Sequence, residues 1–382
     1  MRKFVILLLA ALMLCLSASA ETQIDAVGDR GIILDQPQEN TVPEGISPTT
    51  GRVLKDLEIP EGAAGLAADG RYMPMLVQIS NPISDKTRAA GTSNRAPWGV
   101  QYADIFYETP LTGHYETRIS VIFSDILPTF AGPIRSARIG HVWIREEWDS
   151  GFIYYGQSTY GEGNVPLALA QFDVEEKGLL FSGVVSASRP WKKYFSRGFM
   201  NRATPNDVSA DVAAMSKLIP ENHVPLNHTF RFADAPYEGG DEATTIWIDW
   251  GRPDYNSRFT YDAATGLYSR SVSTDTKKRD YVDYTELTTG DVLTFSNVIV
   301  QWTPTEFPNS EVPITRNVAS GNFPGHANAD IFQNGRHISG YWRRYGTQSR
   351  TIFYDDQGHE LELQPGKTFI IQLPPVKACI YE

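Results

Sequence analysis

Arg135 and Arg138 stand three residues apart in the run Phe130-Ala131-Gly132-Pro133-Ile134-Arg135-Ser136-Ala137-Arg138-Ile139-Gly140, directly after a Gly-Pro turn dipeptide. Side chains at this spacing occupy neighbouring faces of a helix, so two guanidiniums can fork onto one carboxylate or phosphate. A helix opening near Ser136 adds N–H groups that have no intrahelical acceptor and favour an anion. Arg118 lies upstream in the run Thr117 to Phe123. Arg197 and Arg202 lie downstream in and beside the basic-aromatic run Arg189 to Arg197. The candidate ligand-binding set is therefore Arg118, Arg135, Ser136, Arg138, Arg197 and Arg202, with Ser136 as a hydroxyl donor. The competing use of the same arginines is internal ion pairing with Asp104, Glu108 or Glu116, since arginine suits both jobs.

Catalytic patterns are weaker. Ser136 has no G-x-S-x-G elbow around it and no assignable base. Glu108 and Glu116 are the candidate acid or base residues for hydrolysis of an envelope polymer. Glu146-Glu147 and Glu175-Glu176 are adjacent pairs whose side chains point apart, whereas glycosidase carboxylates face each other across a cleft. The seven histidines, His114, His141, His223, His228, His326, His337 and His359, form no H-E-x-x-H or similar ligand set. Phe353 to Gly358 lacks the closing glutamate of a calcium loop and reads as a hairpin turn. No metal site and no cofactor is expected. The tryptophans could stack on sugars, but strand aromatics such as Trp247 and Tyr341 more commonly pair across a sheet.

The elements that must carry these residues are mostly strands. Pro74 to Ile79, Ala103 to Glu108 and Thr117 to Phe123 are apolar or β-branched runs, and Gly113 suits a hairpin between the last two. His141 to Trp148 has helical composition, Gly151 to Tyr155 reads as a strand, and Val165 to Gln171 as a short helix with Pro166 in its first turn. Thr204-Pro205 opens, and Pro220 stops, what the pattern predicts as the clearest helix. Beyond about Asn227 strands dominate: Thr244 to Trp250, a hairpin around Asp262 to Gly266, Asn297 to Thr303, a second hairpin around Asp355 to Gly358, and Thr368 to Leu373. The expected fold is α+β: an N-terminal mixed α/β-type domain at 71–225, then a mostly antiparallel β domain at 226–382.

Residues 1–20 read as a secretory signal peptide, with basic Arg2 and Lys3, an apolar run from Phe4 to Leu16, and Ala18-Ser19-Ala20 as the cleavage site. Leu14 before Cys15 suits lipidation poorly, so release is favoured over anchoring. No later run is long enough to span a bilayer. Residues 21–70 are polar and acidic and read as a flexible tether. The mature chain keeps only Cys379 and can form no internal disulfide, so the fold must rest on its core. Its formal charge is −11, and −13 once Arg2 and Lys3 are removed. That balance excludes general nucleic-acid binding and leaves a local basic pocket as the anion-binding option.

The ordered series ADIFYETP, YETRISVIF and GPIRSAR resembles the first domain of the YerB-like family of bacterial envelope proteins. GLYSR, TGDVLTFSNVIVQW, FQNGRHISGYWRR and TIFYDDQGHELELQPGKTFI resemble its second domain, so the likeness runs from about Arg71 to Leu373. Glu108, Thr117, Arg118, Gly132, Pro133, Arg135, Ser136 and Arg138 match its pattern. Two places depart from it: relatives tend to carry a histidine before the glycine of Tyr154-Tyr155-Gly156-Gln157-Ser158, and Pro-His-Asn where this chain has Thr204-Pro205-Asn206. Members are typically secreted or lipid-anchored proteins of undetermined function. The resemblance thus implies fold and compartment, and the two departures count against any chemistry those histidines perform. The combined expectation is a secreted or envelope-associated protein that binds an anionic small molecule, peptide or cell-wall component without catalysis. A hydrolase or a structural interaction protein are the alternatives.

Overall fold

The computed structural model describes residues 32, 34–37, 41–81, 96–112, 116–199, 202, 204–273, 280–308, 313–320 and 323–382. The leader, with Cys15, and the turn expected at Gly113 lie outside them. The described residues are mostly β, with few helices.

The first half contributes β1 (Met75–Ile79), β2 (Ile105–Thr112), β3 (Glu116–Phe123), α1 (Ile139–Trp148), β4 (Gly151–Tyr154), α2 (Val165–Gln171), β5 (Leu180–Ser182) and α3 (Val212–Ser216). The second contributes β6 (Thr245–Asp249), β7 (Ser257–Asp262), β8 (Leu267–Ser273), β9 (Asn297–Trp302), β10 (His326–Gln333), β11 (Arg336–Arg343), β12 (Ile352–Tyr354), β13 (Thr368–Leu373) and β14 (Ala378–Tyr381). One large sheet runs β12-β11-β10-β9-β13-β2-β3-β1-β4-β5. A second sheet contains the run β8-β7-β6-β14. The large sheet crosses the boundary expected near residue 225. β13 lies parallel to both β2 and β9, with Phe369 opposite Phe106 and Val298. The expected antiparallel character holds for most pairings of the second half but not at this central strand, nor at the short parallel pair of Arg231–Phe232 with Glu362–Leu363. β13 is buried along its whole length, as a strand covered on both faces must be.

Alternation along β2 sorts the layers. Phe106 points to the second sheet, where it meets Phe295 at 5.0 Å and Phe369 at 5.9 Å, with Phe259 against Phe369 at 5.1 Å. Aromatic pairs in such geometry contribute about 0.5–1.5 kcal/mol each beyond their buried area. Tyr107 points the other way, where its hydroxyl accepts from Trp148 Nε1 of α1 at 2.9 Å. The molecule is layered as second sheet, large sheet, then α1.

Two expectations need correction. The helix predicted over Thr204 to Ile219 shrinks to α3. Ser209 and Ala210 instead pair with Phe195 and Ser196, and Ala210 exchanges both backbone bonds with Ala131 at 2.8 and 2.9 Å, so their N–H and C=O groups are spent before a helix can start. Asp211 then caps α3 by accepting from Ala214 N at 2.8 Å. Residues 46–69, assigned to the tether, are docked. Asp125 accepts from Ser47 Oγ at 2.8 Å and Thr50 Oγ1 at 3.0 Å, and Ala64 bonds Leu127. Short polar side chains that look solvating in the sequence find a buried acceptor here.

Candidate functional site

The segment from Ala131 to Ala137 is fixed by its backbone. Gly132 exchanges bonds with Trp98 at 3.0 and 2.9 Å, Ser80 N donates to Pro133 O at 2.9 Å, and Arg135 N donates to Gln78 O at 2.9 Å. Tyr155 N donates to Arg135 O, and Ala137 N to Gly156 O, both at 2.9 Å. The Gly132-Pro133 peptide is cis. A Cβ on Gly132 would fall 2.5 Å from the Trp98 indole, so only glycine allows this approach. The segment presents Arg135 and then Arg138, which is the N-cap of α1 in extended conformation.

His141, three residues into the helix, completes the cap. Its Nδ1 accepts from Arg138 N at 3.0 Å. Accepting there leaves the ring proton on Nε2, which donates to Thr109 Oγ1 of β2 at 2.8 Å. Burial, then the charges of Arg118 and Arg138, hold His141 well below its ordinary pKa. It is thus a neutral strut between β2 and α1. The sequence shows no ligand set around His141, and its position three residues after Arg138 is the local signal for the cap.

Arg118 sits opposite Thr109 in the β2–β3 ladder, so its side chain emerges on the α1 face. It is 3% exposed, and its Nε has no hydrogen-bond partner. Burial, then Arg135 and Arg138, pull its pKa well below the usual guanidinium value, against the opposing pull of Glu116 and Tyr255. Arg138 is lowered by burial and by Arg135, and opposed by Glu116. Arg135 is lowered by burial and by Arg197, and opposed by Asp207. Nε of Arg135 and of Arg138 is also buried without a hydrogen-bond partner. The three arginines are therefore close enough to repel one another.

The remaining candidates divide. Arg197 adjoins the cluster through Arg135, but its charge is matched by Asp207 at 3.0 Å and its guanidinium lies 4.8 Å from the Tyr155 ring centroid. Arg202 lies apart, donating to Ala96 O at 3.0 Å beside Trp98. Ser136 directs its hydroxyl to Tyr155 O at 3.3 Å, so the structure turns the expected donor inward. Glu116 faces Arg118 and Arg138 and accepts from Tyr255 Oη at 3.3 Å. Glu108 belongs to the opposite face of the sheet. It is fully buried, accepts from Asn81 and Thr117, and pairs with the equally buried Arg270 of β8 at 3.0 Å. Arg270 also lies over Tyr284 and Phe369. Nothing in the sequence linked Glu108 to a residue 162 positions away. Among the described residues no three His, Cys, Asp or Glu side chains gather as a metal site.

Residues 71–224 match the family described as protein of unknown function (DUF3048), N-terminal domain, and residues 246–370 match its C-terminal domain. The chain belongs to the YerB-like two-domain family. It is 26% identical to "Putative lipoprotein YerB" of Bacillus subtilis (strain 168) over 285 residues, which is 74% of this chain and 78% of that relative. The crystal structure of the Bacillus subtilis YerB protein superposes with a TM-score of 0.60 at 20% identity, covering 88% of this chain and 99% of that one.

Proposed function

We propose that this YerB-like chain is an extracytoplasmic envelope protein that binds an anionic ligand without catalysis, through Arg118, Arg135 and Arg138 at the start of α1. The lipoprotein name of the Bacillus subtilis relative and the leader pattern of residues 1–20 support the compartment. No helix among the described residues is long and apolar enough to cross a membrane.

The observation that carries the reading is Arg118: a buried guanidinium with an unbonded Nε, whose pKa is lowered by burial and then by two neighbouring arginines. One carboxylate, Glu116, faces Arg118 and Arg138, so the buried positive charge is incompletely matched, and buried charge without its counter-charge costs about 3–5 kcal/mol. An anion resolves the mismatch. The hydrolase alternative needs an acid or base that is free to react. Glu108 is held by Arg270 behind the sheet, and Glu116 is opposed to two arginines, so neither offers the accessible carboxylate that reading requires.

The test is calorimetric titration with acetate, sulfate and phosphate at constant ionic strength, on the wild-type protein and on Arg135→Gln and Arg138→Gln. Each half-buried arginine should contribute about 1.5–3 kcal/mol of charge-assisted bonding, so each variant should weaken binding about tenfold or more. Unchanged affinity in both variants contradicts the assignment.

A further inference from the structure

The cluster's charge and shape specify the anion more closely than "anionic". Arg118, Arg135 and Arg138 contribute three positive charges. Glu116 is the carboxylate opposed to Arg118 and Arg138, and Asp207 is already paired with Arg197. His141 contributes none, because its Nδ1 accepts the Arg138 N–H and its pKa is held down. Among the described residues, the balance of these groups is an excess of two positive charges. The N-terminus of α1, a helix of 10 residues starting at Ile139, adds a partial positive charge of about half a unit.

The directions matter as much as the sum. Arg118 approaches from β3, on the sheet. Arg135 and Arg138 approach from the clamped segment, and the first-turn N–H groups point along the helix axis. A carboxylate offers one charge and two oxygens in a single plane. A terminal phosphate offers a charge near −2 and three oxygens spread over a tetrahedral face. Donors arriving from a sheet, a turn and a helix end suit the second.

Resting on the anion-binding reading above, we infer that the arginine cluster takes a terminal phosphate group: a phosphate monoester or inorganic phosphate in its dianionic form. A phosphodiester carries one charge and two free oxygens and should be rejected. A free solute and a monoester lipid headgroup present the same chemistry to the cluster.

The experiment uses the whole protein at about pH 8, above the second phosphate pKa of about 6, where a monoester is dianionic. Inorganic phosphate, glycerol phosphate, dimethyl phosphate and acetate are titrated at matched ionic strength. The proposal expects the first two to bind at least about tenfold more tightly than the last two, one extra charge-assisted contact being worth that factor. Arg138→Gln should remove the preference, and Arg138→Lys, which keeps charge but not the fork, should restore part of it. Acetate or dimethyl phosphate binding as tightly as phosphate, with loss in Arg138→Gln, overturns the phosphate assignment and leaves anion binding standing. No binding by any of the four overturns both. Sedimentation with phosphatidylcholine vesicles containing phosphatidic acid or phosphatidylglycerol separates the sources. Capture by the phosphatidic acid vesicles alone assigns the lipid monoester. Capture by neither, with soluble phosphate bound, assigns the free solute. Equal capture by phosphatidylglycerol, a diester, contradicts the proposal. Should Arg118→Ala fail to fold, the half-exposed positions 135 and 138 still decide the outcome.

Discussion

Glu108 and Arg118 sit one register step apart on neighbouring strands and meet opposite fates. Glu108, on β2, finds Arg270 of the second sheet and forms a fully buried ion pair. Arg118, paired with Thr109 rather than Glu108, faces α1 and other arginines. Charged residues therefore serve as an internal lock on one face and as incompletely matched, buried positive charge on the other. Glu108→Gln should leave Arg270 buried without its counter-charge and destabilise the fold by about 3 kcal/mol, read as a lowered urea midpoint, while leaving anion affinity within about twofold because the site is on the other face. A large affinity loss at unchanged stability would return Glu108 to the site. At this scale the arginines were legible because their spacing and the turn before them are local. Their partners were not, since the Glu108–Arg270 pair depends on which strands stack, and the inward bond of Ser136 depends on the path of residues 155 and 156.

The turn and the helix cap work as one element. Trp98, Gln78, Val208 and Gly156 all bond the backbone between Ala131 and Ala137, so Arg135 and Arg138 are held before any ligand arrives. Gly132 is the tightest point. Gly132→Ala should cost about 1–3 kcal/mol through overpacking against Trp98 and should also weaken anion binding by moving the arginine-bearing segment; urea unfolding and calorimetry check the two effects. Unaltered stability would show that Trp98 moves aside freely. Helix α1 and most strands were readable from composition and period. The helix expected over Thr204 to Ile219 was not, because Ser209 and Ala210 have tertiary β partners that capping signals cannot reveal. The β10–β11 hairpin had a plain local signal, Asn334-Gly335, and both residues take the positive φ values, 52° and 70°, of a tight hairpin turn.

On the scale of the whole molecule, the two matched regions share one sheet through β13, one aromatic cluster around Phe106, Phe295 and Phe369, and the Glu108–Arg270 pair. This sharing was not legible in the sequence, because the strand that joins the two regions comes near residue 370 and its parallel pairing to β2 spans more than 260 residues. Such sharing predicts a single cooperative transition in scanning calorimetry; two separated transitions would contradict it. The same melting experiment tests the central claim most directly. If Arg118, Arg135 and Arg138 form a binding site held under mutual repulsion, Arg138→Gln relieves that repulsion, so the ligand-free variant should melt at or above the wild-type temperature, and the phosphate-induced rise seen in the wild type should vanish. If the cluster is instead an internal structural network, Arg138→Gln should melt several degrees lower while keeping whatever response to phosphate the wild type shows, and that result would contradict the account.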